Sequence, residues 1–166
     1  MFPLNDNFDA TSLDSLEPVF NELLSRDVKS VSDLEVFFSD ISDMAEHVSE
    51  AGARLYIGMT CDTENELKQT NFLNFVENIR PRMSEVSNKL DLKILNLDFL
   101  EQLSDRYSLI LRSMRNSIEI FREENIPLSV ECTKLSTEYQ KIIGAMTVNF
   151  EGDGIHASSD EALLGI

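Results

Sequence analysis

Histidine and cysteine are nearly absent from this chain, which holds two of each among its 166 residues: His47 and His156, Cys61 and Cys132. A helical metal-hydrolase site needs two imidazoles one turn apart and a glutamate beside the first to activate the metal-bound water. Four residues after His47 stands Ala51, and four after His156 stands Asp160. The inverted HxxEH arrangement fails as well, because His47-Val48-Ser49-Glu50 runs into Ala51. The cysteines have no CxxC spacing that would suggest zinc or redox work, and ordinary reduced thiols are expected. Neither has a histidine nearby in sequence, and the chain contains no GxSxG elbow and no Gly-rich phosphate loop. No catalytic, cofactor-binding or metal-ligating residue is therefore expected here.

Positive charge is also scarce. Lys and Arg number 14 against 30 Asp and Glu, a net charge of −16. Residues 1–66 hold 15 of the acids against only Arg26, Lys29 and Arg54, so the field is strongest in the first part. Such a field repels nucleic-acid phosphates and anionic lipid, which argues against both as partners, while it could attract cationic peptides. The plainer reading is that the acids cover solvated helix faces. No apolar run approaches the roughly 18 residues of a membrane helix. Met1 to Asp14 has no basic start leading into an apolar run, so no secretory signal is expected and the cytoplasm is the expected compartment.

His47 lies beside Glu46 and Glu50 and one turn after Asp43. That grouping could make a weak divalent-metal site or raise the histidine's proton affinity; an exposed histidine on an acidic helix is the simpler reading. Glu123 and Glu124 are adjacent, so their side chains diverge rather than face each other as a catalytic pair. Arg112, Arg115 and Arg122 share part of one helical face with Glu119 among them, and could meet the acidic N-terminal half or face a further domain.

What the chain does have is helical periodicity. With 42% hydrophobic and 27% charged residues, its composition is that of one soluble globular domain with a sizeable core. The first ten residues are expected to be flexible. A short helix is expected from Ser15 as N-cap, through Pro18 in its first turn, to about Ser25, with Leu16, Val19, Phe20 and Leu23 inward. Ser32-Asp33-Leu34-Glu35 reads as a capping box opening a long helix through about Ile57, and Thr63-Glu64-Asn65-Glu66 as a second box after a turn at Gly58 to Asp62. The next helix carries Leu67, Phe72, Phe75, Val76 and Ile79 until Pro81 kinks or restarts it, then Met83, Val86, Leu90, Ile94 and Leu95. Phe99 to Leu103 reads as a further helical turn. Glu64 with Lys68 and Glu85 with Lys89 are spaced as i,i+4 pairs.

Beyond these lie two more helices, divided because Pro127 suits a first turn and displaces its predecessor from helical geometry: one ends near Asn125 and the next begins at about Pro127. Each has one apolar stripe, Tyr107, Ile110, Leu111, Met114, Ile118 and Phe121 on the first, Leu128, Leu135, Tyr139, Ile142, Ile143 and Met146 on the second. Alternation through Thr147, Val148, Asn149 and Phe150, then Gly152-Asp153-Gly154, predicts a short strand entering a hairpin. The expected fold is all-α, an antiparallel helical bundle or layered helical array, with a short β-strand or hairpin near the C-terminus. The expected division is a flexible 1–10, a helical domain over 11–150 and a divergent, flexible tail over 151–166.

The stretch from Arg112 to Phe150, together with Leu55-Tyr-Ile-Gly-Met-Thr-Cys-Asp-Thr63, resembles the N-terminal part of bacterial oligoendopeptidase F-like enzymes, zinc metallopeptidases related to thimet oligopeptidase. The likeness runs from about Phe20 to Phe150 and rests on scaffold residues. It implies a truncated N-terminal portion of such an enzyme, one wall of a channel admitting short peptides, with zinc, the HExxH helix and an additional glutamate in a catalytic region that this chain lacks. The expected partners are that catalytic region and short peptides, with self-association through an exposed apolar patch if the region is absent. The competing expectation is a free-standing acidic helical module that binds a protein partner.

Overall fold

The computed structural model describes residues 4, 8–149 and 156–158, the last three and residues 147–149 as backbone only. Helix α1 spans Leu13–Ser25 and buries Leu16, Phe20 and Leu23. It starts from Ser12 rather than Ser15, which moves Pro18 from the expected first turn to the helix interior. Pro18 is exposed. The carbonyl it leaves without a helical amide can therefore meet water, which softens the cost of an interior proline.

Helix α2, Val31–Thr60, is also capped earlier than the expected Ser32. Ser30 Oγ accepts the Asp33 amide at 3.1 Å, while Asp33 accepts the Lys29 amide at 3.2 Å, a reciprocal cap with an aspartate in the returning role. The Glu35 carboxylate is instead engaged across the fold, by Arg106 at 2.7 Å and by the Tyr107 hydroxyl at 2.9 Å. Tertiary contact thus decided between two serine-acid sets that local sequence made equivalent.

Helix α3, Glu66–Asn74, takes Asn65 as its cap, whose side-chain oxygen accepts the Lys68 amide at 3.2 Å; Thr63 does not cap it. Neither expected i,i+4 pair forms: Lys68 binds Asp62 at 2.9 Å, and Glu85 is paired with Arg82 at 3.2 Å. The chain then continues through a π turn, Phe75–Ile79, into α4, Arg80–Leu95. The Arg80 amide donates to the Phe75 carbonyl five residues back. Pro81, which has no amide to donate, follows at once, so the widened turn absorbs what was expected to be a kink or restart. Phe75, Val76 and Ile79 are all buried by it.

Two single 3-10 turns, Leu100–Gln102 and Asp105–Tyr107, lead to α5, Ser108–Ile120. Phe121 is extended, with φ −62° and ψ 130°, and α6 runs over Asn125–Gly144. The break therefore falls about four residues before the expected one, and Pro127 sits at the third helical position. A proline is tolerated there because the first-turn amides have no intrahelical partner anyway.

The all-α class holds, but the β appendage is corrected. The helical body over Leu13–Gly144 contains no strand. Beyond α6, β1 (Thr147–Asn149) pairs antiparallel with β2 (His156–Ser158) over three residues each. A pair of three-residue strands is marginal by itself and adds no sheet to the helical body. The expected strand residue Phe150 and the Gly152-Asp153-Gly154 turn lie outside the described residues, as does most of the expected tail over 151–166. At the other end, Leu4 and Phe8 pack on the core and Ala10 is buried, so part of the first ten residues is engaged with the domain.

The main core gathers Leu16, Phe20 and Leu23 of α1, Leu34, Phe37, Met44 and Val48 of α2, Val86, Leu90 and Ile94 of α4 and Leu111 and Met114 of α5. A smaller cluster of Met59, Phe72 and Val76 supports α6, which contributes only the partly buried Val130 to it. Close approach of α2 to the π turn depends on Gly52, where an added Cβ would stand 2.8 Å from Phe75 Cε1 and 3.0 Å from Cζ. Helix propensity alone favours alanine over glycine by about 1 kcal/mol. Because the buried Phe75 ring would have to shift to clear the new Cβ, overpacking of about 2 kcal/mol outweighs that gain. Gly52→Ala is expected to lower stability by about 1 kcal/mol in urea titrations, whereas Gly58→Ala, with open space around its Cβ, should raise it.

Candidate interaction surface

The titratable residues singled out by sequence are not gathered into a site. His47 Nδ1 lies 2.7 Å from the Asp43 carbonyl and donates to it, while the ring meets Phe8 edge-on at 6.0 Å. The described side chains do not fit a zinc ion. No group of three His, Cys, Asp or Glu among the described residues could hold a metal. Cys61 and Cys132 are free and exposed. Glu123 and Glu124 are exposed beside the start of α6. His156 lies in β2, where only the backbone is described.

Charge pairing in the body is structural. Arg82 on α4 grips Glu17 on α1, with Nε 2.5 Å and the second amino nitrogen 3.0 Å from its two oxygens. This hydrogen bonding, aided by the guanidinium's charge, holds the Glu17 carboxyl below its ordinary 4.5 against the opposing effect of desolvation. A folded-state pKa below the unfolded one means that the contribution to stability is complete above pH 4.5 and is lost as pH falls through the folded value. Asp91, pushed up by burial, acts in the opposite sense. Glu17→Gln is expected to flatten the loss of stability as pH falls below the ordinary carboxylate range, read as the urea midpoint against pH.

Of the arginines expected to share a face, Arg112 and Arg115 are exposed and make no ion pair among the described residues, and Arg122 donates to the backbone carbonyls of Glu119 and Phe121 at 2.9 and 2.6 Å. Arg106, not singled out from sequence, is the α5-side cation that reaches α2. Its signal was only positional, since it precedes the helix rather than lying on the charged stripe.

The feature that stands out is α6. Its inward side carries Ile126, Val130, Thr133, Lys134 and Thr137, only the last of them buried. Gln140 reaches the Tyr56 hydroxyl at 3.1 Å, and Lys134 pairs with Glu77 at 2.7 Å. The helix is thus fastened mainly through small and polar groups. Its apolar stripe points the other way: Leu135, Tyr139 and Ile142 are each 64% exposed and Leu128 61%. Among the described residues this stripe, at helical spacing, covers nothing, which makes it a candidate interaction surface. Sequence showed the stripe but not its direction.

Two depressions flank this region. A cavity of about 340 Å³ lies between α4 and the α5–α6 junction, lined by Val76, Ile126 and Val130 together with Arg80 and Arg122. A shallower groove of about 580 Å³ runs between α2 and α4 past Ala45, Gly52 and Met83, and shares Arg80 and Ser84 with the cavity. Among the described residues, no helix is long and apolar enough to cross a membrane.

No curated protein and no solved structure matches this chain. A family model does: that of the Peptidase M3 N-terminal domain, over residues 6–121, which takes in α1 to α5 and stops just before α6. The match covers more than two thirds of the sequence, is to a domain that is not the family's catalytic one, and agrees with a helical body in which the described residues form no metal site. The chain belongs to the M3 peptidase family, the thimet oligopeptidase-like metallopeptidases, through its N-terminal domain.

Proposed function

We propose that this chain is the non-catalytic N-terminal portion of an oligoendopeptidase F-like zinc endopeptidase of the cytoplasm, forming one wall of the channel that admits short peptides. The outward apolar stripe of α6 carries this reading. It lies directly after the residues matched to the N-terminal domain, which supports reading it as the face turned toward the rest of a family member. Its occupant is the zinc-bearing region, which would cover Leu128, Leu135, Tyr139 and Ile142. The groove between α2 and α4 supports a peptide-facing role, since small side chains there leave space for an extended chain. Burying four such apolar side chains would contribute several kcal/mol, at about 1.5–3 kcal/mol each when fully covered.

The test is reconstitution. The chain by itself is expected not to cleave a quenched fluorescent peptide, with or without added zinc. Mixed with a separately expressed HExxH region of an oligoendopeptidase F-like enzyme, it is expected to co-migrate in size exclusion and to restore cleavage, and Leu135→Asp with Ile142→Asp should abolish both. Zinc-dependent cleavage by the chain alone would overturn the reading.

A free-standing interaction module is the second reading, and it predicts a well-behaved monomer without a contiguous apolar patch. The exposed α6 stripe favours the first. Without the catalytic region the same stripe should pair copies of the chain, so sedimentation is expected to show association that the Leu135→Asp, Ile142→Asp variant loses.

A further inference from the structure

We infer that the cavity between α4 and the α5–α6 junction is a binding site for a carboxylate carried on an apolar body, with Arg80 and Arg122 as its anion-binding groups. The observation is one of charge against background. Acids outnumber bases by 30 to 14 in this chain, yet the cavity lining contains two arginines and no aspartate or glutamate. Neither arginine is spent on a carboxylate among the described residues. Arg80 stands over the Phe72 ring at 5.6 Å, and Arg122 donates only to backbone carbonyls. Most other cations of the domain do have such a partner, including Arg26, Arg54, Arg82 and Arg106.

The rest of the lining fits the other half of the ligand. Val76 and Val130 supply an apolar floor, and Ser129 and Thr133 add hydroxyls, that of Thr133 already donating to the Ser129 carbonyl at 2.9 Å. At about 340 Å³ the space lies in the lower range of small-molecule sites and suits a group the size of one or two residues. A guanidinium fork matches a carboxylate in two parallel hydrogen bonds, and a second guanidinium excludes the solvated cations that the protein's overall field attracts. Two sources share this chemistry: the C-terminus of a short peptide ending in an apolar residue, and a free fatty carboxylate. The site is independent of the peptidase reading, because it is formed within this chain and needs neither zinc nor a second domain.

The full chain is titrated with acetyl-Ala-Ala-Leu bearing a free C-terminus, with the same peptide as its amide, and with hexanoate, following the backbone amide resonances of Ser129, Val130 and Thr133. At least one of the two carboxylates is expected to bind at least roughly tenfold more tightly than the amide, the effect of charge-assisted hydrogen bonds. Tighter binding of the peptide acid assigns a peptide C-terminus and tighter binding of hexanoate a fatty acid; either supports the site. Arg80→Gln and Arg122→Gln are each expected to weaken carboxylate binding roughly five- to tenfold. Lys68→Gln, a paired cation outside the cavity, should not. Retained urea midpoints in the two variants separate loss of binding from loss of folding. Equal binding of acid and amide, or no shift at those residues at millimolar ligand, overturns the inference. So does tight binding that survives both arginine substitutions.

Discussion

Phe37→Ala is expected to lower the unfolding free energy by about 4 kcal/mol, enough to leave a domain of this size only marginally folded. Phe37 is fully buried in α2 where α1, α2 and α4 meet. Over its ring stand the Arg26 guanidinium, 5.5 Å from the centroid, and Lys93 Nζ at 5.1 Å. Each cation over an aromatic face adds about 0.5–1 kcal/mol to the loss of the side chain itself. Lys93 also donates to the Leu23 and Leu24 carbonyls at 2.9 and 3.0 Å and to that of Arg26, closing the C-terminal end of α1. Burial, followed by the nearby charge of Arg26, pushes the Lys93 ammonium below its ordinary 10.5. Removing the ring would therefore disturb an aromatic core and a helix cap together. The urea midpoint should fall with an unchanged slope, while Val36→Ala at the adjacent exposed position should shift stability by less than about 0.5 kcal/mol. A cost for Phe37→Ala comparable to that of Val36→Ala would show that the ring is not the junction of the three helices.

Arg26→Leu is expected to cost about 3 kcal/mol, and Asp40→Leu added to it should recover much of that loss. Asp40 is one of two buried polar or charged residues among those described, and Arg26 is its partner across α1 and α2. Arg26 also holds Glu22 through two bonds of 2.8 and 2.7 Å, which, ahead of the bond to Asp40, raises the guanidinium's proton affinity. Removing the cation alone leaves a carboxylate in the interior without compensation; removing both leaves an apolar contact. A double-mutant cycle measured in urea distinguishes the cases. If the double variant is as unstable as Arg26→Leu, the pair is not where the cost lies.

Neither substitution touches α6. The body that resembles a complete core, α1 to α5 with the π turn, is built to be stable behind a helix attached by small and polar groups. That division explains why the best-packed residues lie in α1 to α5 and not under the exposed stripe of α6. Variants of the α6 stripe should alter association with little effect on the urea midpoint, the reverse of Phe37→Ala.

Much of this was legible along the chain. Three- and four-residue spacing placed Leu16, Phe20, Leu34, Phe37, Val86, Leu90 and Ile94 on inward helix faces, and all are buried. Missing histidine spacing set aside a helical zinc site, and the segments around Leu55 to Thr63 and Arg112 to Phe150 pointed to the family that the domain match shows. Helix boundaries were less legible because several nearby residues could cap: Ser12 and Ser15, Ser30 and Ser32, Thr63 and Asn65. Capping is worth only about 1 kcal/mol, and neighbouring candidates differ by less than that, so local sequence does not choose between them. Periodicity by itself determined that α6 has an apolar stripe. Only the tertiary structure decided that the stripe faces outward. Spacing records which residues share a face, but which face turns inward depends on how much apolar surface the rest of the fold offers, and here Met59, Phe72 and Val76 offer enough for Val130 alone.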